Sequence, residues 1–449
     1  MRSRSTLLDG RCTISRCLPL SLYRARTTRP LENHHGQTPV RKRLNSDMPA
    51  STVSSRHFYQ NETLLDFVAR SSRPVSLRQL AFFGMKLTND KIIQSANFVR
   101  QELPTRMAHR IHDMQSLPYS IVRNNHISYV YELYYHSFNT IRRFPVIKTV
   151  DDNDRFCDVL RELLAHHTAV IPHLVMGVIE CSDLIDSKRM DNFMESMLRS
   201  RISRRVFTEQ HIALTDAFLK DPNFKPTEQV GQVFFQCSAA DVVRQCDTLA
   251  RSLTQSSHEG IPIPELVFEG DVNTKFACVA SHLRYMVGEI LRNTFEASAE
   301  RYQAMGNPPA PVLVTIIDAP QHVTFRFSDR AGGIPPEIIP YLWSFVKGPR
   351  SMIRHHNFKQ VPVLEAIVEE LETFVAVARG QRKRISSLTS LTTRSPTLRL
   401  GMGLPMCKIY AEFWGGKIAV KSIEGFGCDV FLHISKLGNE SRFVQMNNI

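Results

Sequence analysis

The sequence predicts an α+β chain of two domains, an N-terminal four-helix bundle followed by an α/β sandwich built on a mixed sheet. Three observations carry that reading. From His57 to Lys225 apolar residues recur at helical spacing and glycine is nearly absent. After Pro226 the texture changes to short β-branched or aromatic runs mixed with helical segments. The 449 residues also exceed what one core serves, at roughly 100–200 residues per domain.

In the first half, Ile93–Gln101, Ile127–Ile141, Asp154–Gly177 and Arg189–Phe218 read as amphipathic helices after a short lead-in, with Pro-bearing turns between them. In the second, Val312–Ile317 and Val323–Ser328 form a hairpin. Val323, Phe325 and Phe327 face the core there, while Thr324, Arg326 and Ser328 face away. Lys417–Ile423 and Cys428–Ile434 repeat the pattern around a Glu424-Gly425-Phe426-Gly427 turn. Between Arg379 and Leu400 an Arg-rich run passes into Ser and Thr with few large apolar side chains. Such a stretch buries too little surface to offset its ordering entropy, and a mobile loop is expected.

A composition of 43% hydrophobic and 22% charged residues is that of a globular protein. Its longest apolar runs, Val312–Ile317 and Ala169–Ile179, are broken by Pro, His or Thr well short of the roughly 18 residues a spanning helix needs, so no membrane span is expected. The formal charge of +13 suggests a nucleic-acid partner until its distribution is seen. Residues 1–56 carry eleven basic against three acidic side chains, which leaves the body near +5. That first stretch is rich in Arg, Ser, Thr and Leu and lacks the apolar core of a secretory signal. It reads as a mitochondrial transit peptide and leader, the bland alternative being a basic tail, and no nucleic-acid partner is expected. The nine cysteines show no CxxC pair or metal-ligand spacing, which fits a reducing compartment.

Three separated elements of the second half carry chemistry. On the helix expected over Leu283–Tyr302, the inward stripe is Leu283, Met286, Val287, Ile290, Leu291 and Thr294. Glu289, Asn293 and Glu296 follow a neighbouring edge at i, i+4 and i+7. A carboxylate there can take a proton, and an amide oxygen can ligate a hard cation such as Mg²⁺. Taken alone, such residues describe a solvated helix face. Next comes Ser328-Asp329-Arg330-Ala331-Gly332-Gly333-Ile334-Pro335, directly after a strand. Its Asp can accept from an exocyclic amine, and its small residues let a flat ring near the backbone. The third is Leu400-Gly401-Met402-Gly403-Leu404-Pro405, opening a helix over Pro405–Trp414, where backbone N–H groups and the helix dipole favour phosphate.

In this order the three elements resemble the Bergerat ATP fold shared by gyrase, a class of chaperones, mismatch-repair proteins and histidine kinases. The resemblance implies ATP and Mg²⁺. Asn293 would hold the metal, Asp329 the adenine amine and Gly333 the ring's approach, with Gly401, Gly403 and the adjoining Leu404 at the phosphates. Neither a Walker motif nor a His-Arg-Asp catalytic loop is present.

The helical half narrows the branch. His167-Thr168-Ala169-Val170-Ile171-Pro172, Ser200-Arg201-Ile202-Ser203-Arg204-Arg205 with Glu209-Gln210-His211, and Leu103-Pro104-Thr105-Arg106-Met107-Ala108 resemble motifs of the mitochondrial 2-oxoacid dehydrogenase kinases. The likeness runs from about Phe58 to Ile434.

It implies a leader over 1–56, a regulatory and docking bundle over 57–225, a kinase domain over 226–437 with a lid near 344–400, and a short tail over 438–449. It also implies a matrix serine kinase with Glu289 as catalytic base, acting on the E1 alpha subunit of pyruvate dehydrogenase, or alternatively of the branched-chain enzyme. Its further partners would be the lipoyl domain of the E2 core and a second kinase subunit, as homodimer or heterodimer.

The sequence departs from the pyruvate-type pattern at several positions. Tyr285 stands where those kinases carry a His bonded to the base, as branched-chain kinases do. Ala331 replaces a glycine, Cys428 a Thr, and Leu164 the Arg of the oxoacid pocket; the chain lacks the long Asp-Trp tail. Two readings of other classes stand beside this one. A histidine kinase would use His166 or His167 as acceptor, whereas these and His173 read first as packing residues. A non-catalytic scaffold would have no physical need for Glu289, Asn293, Asp329 and the glycine pair together.

Overall fold

Helix starts in the first half are written in single capping side chains. Two short helices, α1 (Glu62–Val68) and α2 (Leu77–Phe83), lead into α3 (Asn89–Gln115), where Thr88 accepts from the Lys91 N–H. After the single turn α4 (Tyr119–Val122), Asn124 caps α5 (Asn125–Arg143) through the His126 and Ile127 amides. Thr149 and Asp152 form a reciprocal capping box at the start of α6 (Val150–His166). Asp186 caps α8 (Ser187–Lys220), the longest helix among the described residues. The computed structural model describes residues 62–73, 76–221, 229–348 and 401–436. The leader, residues 349–400 of the expected lid, the Arg/Ser-rich loop and the tail lie outside them.

Two expectations for the bundle need correction. Helix α3 does not stop before Leu103-Pro104 but continues to Gln115, because Leu103, Met107, Ile111 and Met114 prolong its buried stripe. Packing there outweighs the roughly 3 kcal/mol that an interior proline costs. Conversely, Asp154–Gly177 is not one helix. The chain tightens into a 3₁₀ turn at His167–Ala169 and restarts as α7 (Val170–Glu180). The restart puts Pro172 in a first turn, where its missing N–H leaves no bond unmade.

Taken together, Val150–Glu180 is long and apolar enough to cross a membrane, yet 56% of its most apolar window is buried inside the molecule. That apolarity serves the bundle core, where Phe156, Leu160, Val170 and Leu174 are fully or almost fully buried.

The second half carries eight strands among the described residues. A small antiparallel sheet of order β1-β2-β4 joins β1 (Gln229–Val230), β2 (Val233–Ser238) and β4 (Lys275–Val279). The larger sheet has order β3-β5-β6-β8-β7, from β3 (Leu266–Gly270), β5 (Val312–Asp318), β6 (His322–Ser328), β7 (Lys417–Ile423) and β8 (Gly427–Ser435). It is mixed as expected, since β3 runs parallel to β5 and the other pairs are antiparallel. Both expected hairpins form. Central β6 differs in one respect: Thr324 and Ser328, expected to face away, are buried, and Arg326 bonds Asp429 of β8 at 2.7 Å.

Helices α9 (Ala239–Ser257), α10 (Ala280–Met305) and α11 (Gly403–Phe413) form the other layer, with α10 in contact with both neighbours. The stripe expected on α10, from Leu283 to Thr294, is buried throughout. The two halves meet across α8. Its buried Gln210 donates to the Leu80 and Val230 carbonyls and accepts from the Gln232 N–H, pinning the β1–β2 hairpin to the bundle.

Candidate active site

Helix α10 is the spine of the site. Glu289 is completely buried, and Arg292, one turn on, donates to its Oε2 at 2.9 Å. Burying a carboxylate is costly unless a cation and hydrogen bonds accompany it, and Arg292 supplies the cation. A guanidinium on a helix reads in sequence as a solvated side chain, so this partner of the expected base was not legible. Asn293 is exposed, as an amide that meets a ligand must be. Glu296, the third residue of the expected edge, turns elsewhere: His258 at the end of α9 lies 3.3 Å from its Oε2. Tyr285, one turn before Glu289, is buried against Tyr410 of α11, with ring centroids 5.3 Å apart.

Gly403 opens α11 directly over this carboxylate. A Cβ at position 403 would overlap Glu289 Oε2, so any residue larger than glycine there requires that carboxylate to move. No side chain caps this helix start; Gly401 before it is exposed at φ 65° and Leu404 within it is partly buried. Met402 at the N-cap offers the first amides of α11 no side-chain acceptor, and such amides suit an anion.

Three turns along α10, roughly 18 Å at 1.5 Å per residue, Arg301 donates to the Arg330 and Phe426 carbonyls at 2.8 and 3.1 Å. This fixes the Asp329 turn to the same helix. Asp329 is 5% exposed, and its Oδ1 accepts from the Ala331 and Cys428 amides at 2.9 and 3.1 Å. Its Oδ2 has no partner among the described residues. Burial pushes this carboxyl above the ordinary Asp range, against the two backbone bonds that lower it.

Positive φ falls on Gly332 and Gly333, at 98° and 75°. At Gly333 a Cβ would strike the Ile423 carbonyl of β7, so strand packing already demands glycine there, apart from any approaching ring. Ser422 Oγ accepts from the Ile334 N–H at 2.7 Å and lies 3.5 Å from Cys428 Sγ. A hydroxyl thus stands beside Cys428, where the resemblance drawn from the sequence leads one to expect a Thr.

Asn293, Asp329, Gly333, Gly401, Gly403 and Leu404 are accordingly distributed along one helix and the two turns packed on it. No group of three or more His, Cys, Asp or Glu side chains among the described residues could hold a metal by itself. Asn293 suits Mg²⁺ as one oxygen ligand among phosphate and water oxygens, the arrangement this ion prefers.

Of the three bundle histidines read as packing residues, His167 and His173 are placed for packing and His166 is not. His167 is 6% exposed and its Nε2 lies 2.7 Å from Ser137 Oγ. Desolvation, reinforced by Arg204, Arg201 and Arg205, holds it well below the ordinary imidazole range, so it is neutral. His173 Nδ1 lies 3.0 Å from His126 Nδ1, and His166 is exposed. Leu164 and His167 line a bundle cavity with Arg201, Arg204 and Arg205.

Residues 74–234 match the family model described as mitochondrial branched-chain alpha-ketoacid dehydrogenase kinase. Residues 278–437 match that of the histidine kinase-, DNA gyrase B- and HSP90-like ATPases. Along 88% of its length the chain is 34% identical to [pyruvate dehydrogenase (acetyl-transferring)] kinase 2, mitochondrial, of Saccharomyces cerevisiae, covering 89% of that protein. It is 29% identical to the mitochondrial pyruvate dehydrogenase kinase of Arabidopsis thaliana, over 81% of this chain and 91% of the relative. With isozyme 4 of Homo sapiens it shares 26% identity over 84% of each chain.

Proposed function

Because the chain belongs to the mitochondrial pyruvate dehydrogenase kinase family, we propose that it is an ATP-dependent protein serine kinase of the mitochondrial matrix that phosphorylates and inactivates the E1 alpha subunit of pyruvate dehydrogenase. The observation that carries the reading onto this chain's own residues is the contact of Gly403 with Glu289. It sets the acid of one motif against the phosphate-side glycine of another, 114 positions on in the sequence.

In this mechanism adenine donates its exocyclic amine to Asp329 Oδ2, while the Oδ1 bonds hold that carboxylate still. The amides opening α11 receive phosphate oxygens. Asn293 offers its amide oxygen to Mg²⁺, and the ion, when bound, neutralises charge on the transferring phosphoryl group. Glu289, oriented by Arg292, takes the proton of the attacking serine hydroxyl. The remaining work is positioning, since phosphoryl transfer asks little covalent chemistry of the protein. The lipoyl domain of the E2 core and a second kinase subunit complete the proposed partners.

Incubating the purified chain with Mg·ATP and each E1 enzyme tests the proposal. Acid-stable phosphate on serine of pyruvate dehydrogenase E1 alpha is expected. Transfer to the branched-chain enzyme alone would reassign the substrate, acid-labile phosphate on the chain itself would favour a histidine kinase, and no transfer at all would favour a scaffold.

A further inference from the structure

Three charged residues of α8, Asp191, Glu195 and Arg199, stand one helical turn apart on a single face. None has a part in the chemistry above, yet they reach the kinase half at two points. Asp191 accepts from the Ser344 hydroxyl at 2.7 Å and from the Phe345 N–H at 2.8 Å. Ser344 Oγ in turn accepts from the Val346 and Lys347 amides at 3.2 and 2.9 Å, and Phe345 and Val346 are both 5% exposed. One carboxylate of the bundle thus organises the segment that follows the Asp329–Gly333 turn. Two turns along, Arg199 donates to Glu195 at 2.8 Å and also to Glu412 of α11, the helix that Gly403 opens.

The segment that follows the adenine-side turn and the phosphate-side helix are far apart in sequence, and both are tied to one bundle helix. A hydrogen bond to an ionised group is stronger than one between neutral groups, so each tie can hold a segment at a fixed place. We infer that Asp191 and Arg199 are positioning residues that set the adenine side against the phosphate side, so that the bundle governs nucleotide affinity. The inference rests on the kinase reading above.

Full-length wild type, Asp191→Ala, Asp191→Asn and Arg199→Met are compared by calorimetric titration with Mg·ATP and by kcat and KM for both substrates. Asp191→Ala is expected to raise the Kd and KM for ATP about ten-fold, one charge-assisted bond's worth, with kcat and the KM for the protein substrate within about two-fold. Arg199→Met acts in the same direction. Asp191→Asn restores part of the affinity, since its Oδ1 still accepts from the Phe345 N–H, whereas Ser344 Oγ, already accepting from two amides, loses its acceptor.

Nucleotide affinity within about two-fold of wild type in both Asp191→Ala and Arg199→Met overturns the inference, as does an Asn variant no better than the Ala variant. If Asp191→Ala does not fold, Ser344→Ala decides instead: weaker ATP binding supports the inference and unchanged binding overturns it. A wild-type chain that binds no ATP defeats the kinase reading first, and this inference with it.

Discussion

Gly403 lies so close over Glu289 that a single added methyl would occupy the space of the carboxylate's Oε2. The opening of α11 and the middle of α10 therefore behave as one unit, and a change at either is felt at the other.

Gly403→Ala should displace Glu289 or the opening of α11. A loss of about 1–3 kcal/mol of stability is expected from overpacking, with kcat down by about a hundred-fold or more because the proposed base and the amides proposed to hold phosphate both move. Thermal unfolding and steady-state kinetics on the same preparation check it; a variant with wild-type kcat would show that the contact is loose in solution.

Removing the cation beside the buried carboxylate should cost more than removing both. Arg292→Met is expected to destabilise the chain by about 3 kcal/mol, and the double variant Arg292→Met, Glu289→Gln by clearly less. Urea unfolding of the four members of this cycle measures the coupling. Additive losses would mean that Arg292 and Glu289 do not depend on each other.

Asp329→Asn should separate stability from binding. Asn keeps an oxygen for the Ala331 and Cys428 amides but turns an N–H₂ toward the adenine amine, donor against donor, so ATP affinity should fall about 10–100-fold. Burial raises the Asp329 carboxyl above its unfolded value, so its ionisation costs stability as pH rises through the folded pKa. At neutral pH the Asn variant should therefore be as stable as wild type or slightly more so. ATP titration and urea unfolding at pH 7.5, about three units above an ordinary carboxyl, read both effects.

Acid should weaken the fold before its carboxylates titrate. Desolvation, helped by Arg161, holds His211 at about 4, and desolvation, helped by Arg205, holds His282 at about 3, against an ordinary 6.5. The unfolded chain binds these protons near pH 6.5 while the folded chain does not, so stability present at neutral pH drains away below 6.5 and toward 4. Each histidine contributes a slope of about 1.4 kcal/mol per pH unit. Trp414 donates to His282 Nδ1 at 2.9 Å, and Gln at 282 offers the same acceptor without titrating. Urea midpoints between pH 7.5 and about 4.5 should fall less steeply in His282→Gln, and equal slopes would contradict the assignment.

What the sequence showed, and what it hid, follows from the range of each interaction. Asp329 leaving a strand, the glycine pair before α11 and the buried stripe of α10 are local patterns, and each was legible. The small sheet was not, because β1 is two residues long and β2 lacks a clean alternation across its bulge. Pro104 misled because packing along α3 outweighs a local helix breaker. Arg292 and Asp191 were invisible for a different reason. A charged side chain on a helix reads as solvated until its partner is placed, and the backbone that Asp191 holds lies 154 positions away.

Glu289→Gln, titrated with Mg·ATP and assayed for phosphate transfer to E1 alpha on the same protein, addresses the central claim most directly. Nucleotide affinity within about three-fold of wild type together with a loss of transfer of 10²–10⁴-fold, roughly the worth of a positioned general base, is the expected result. Undiminished phosphorylation by the Gln variant would contradict the account, because the proton would then leave the serine by a route that does not involve this carboxylate.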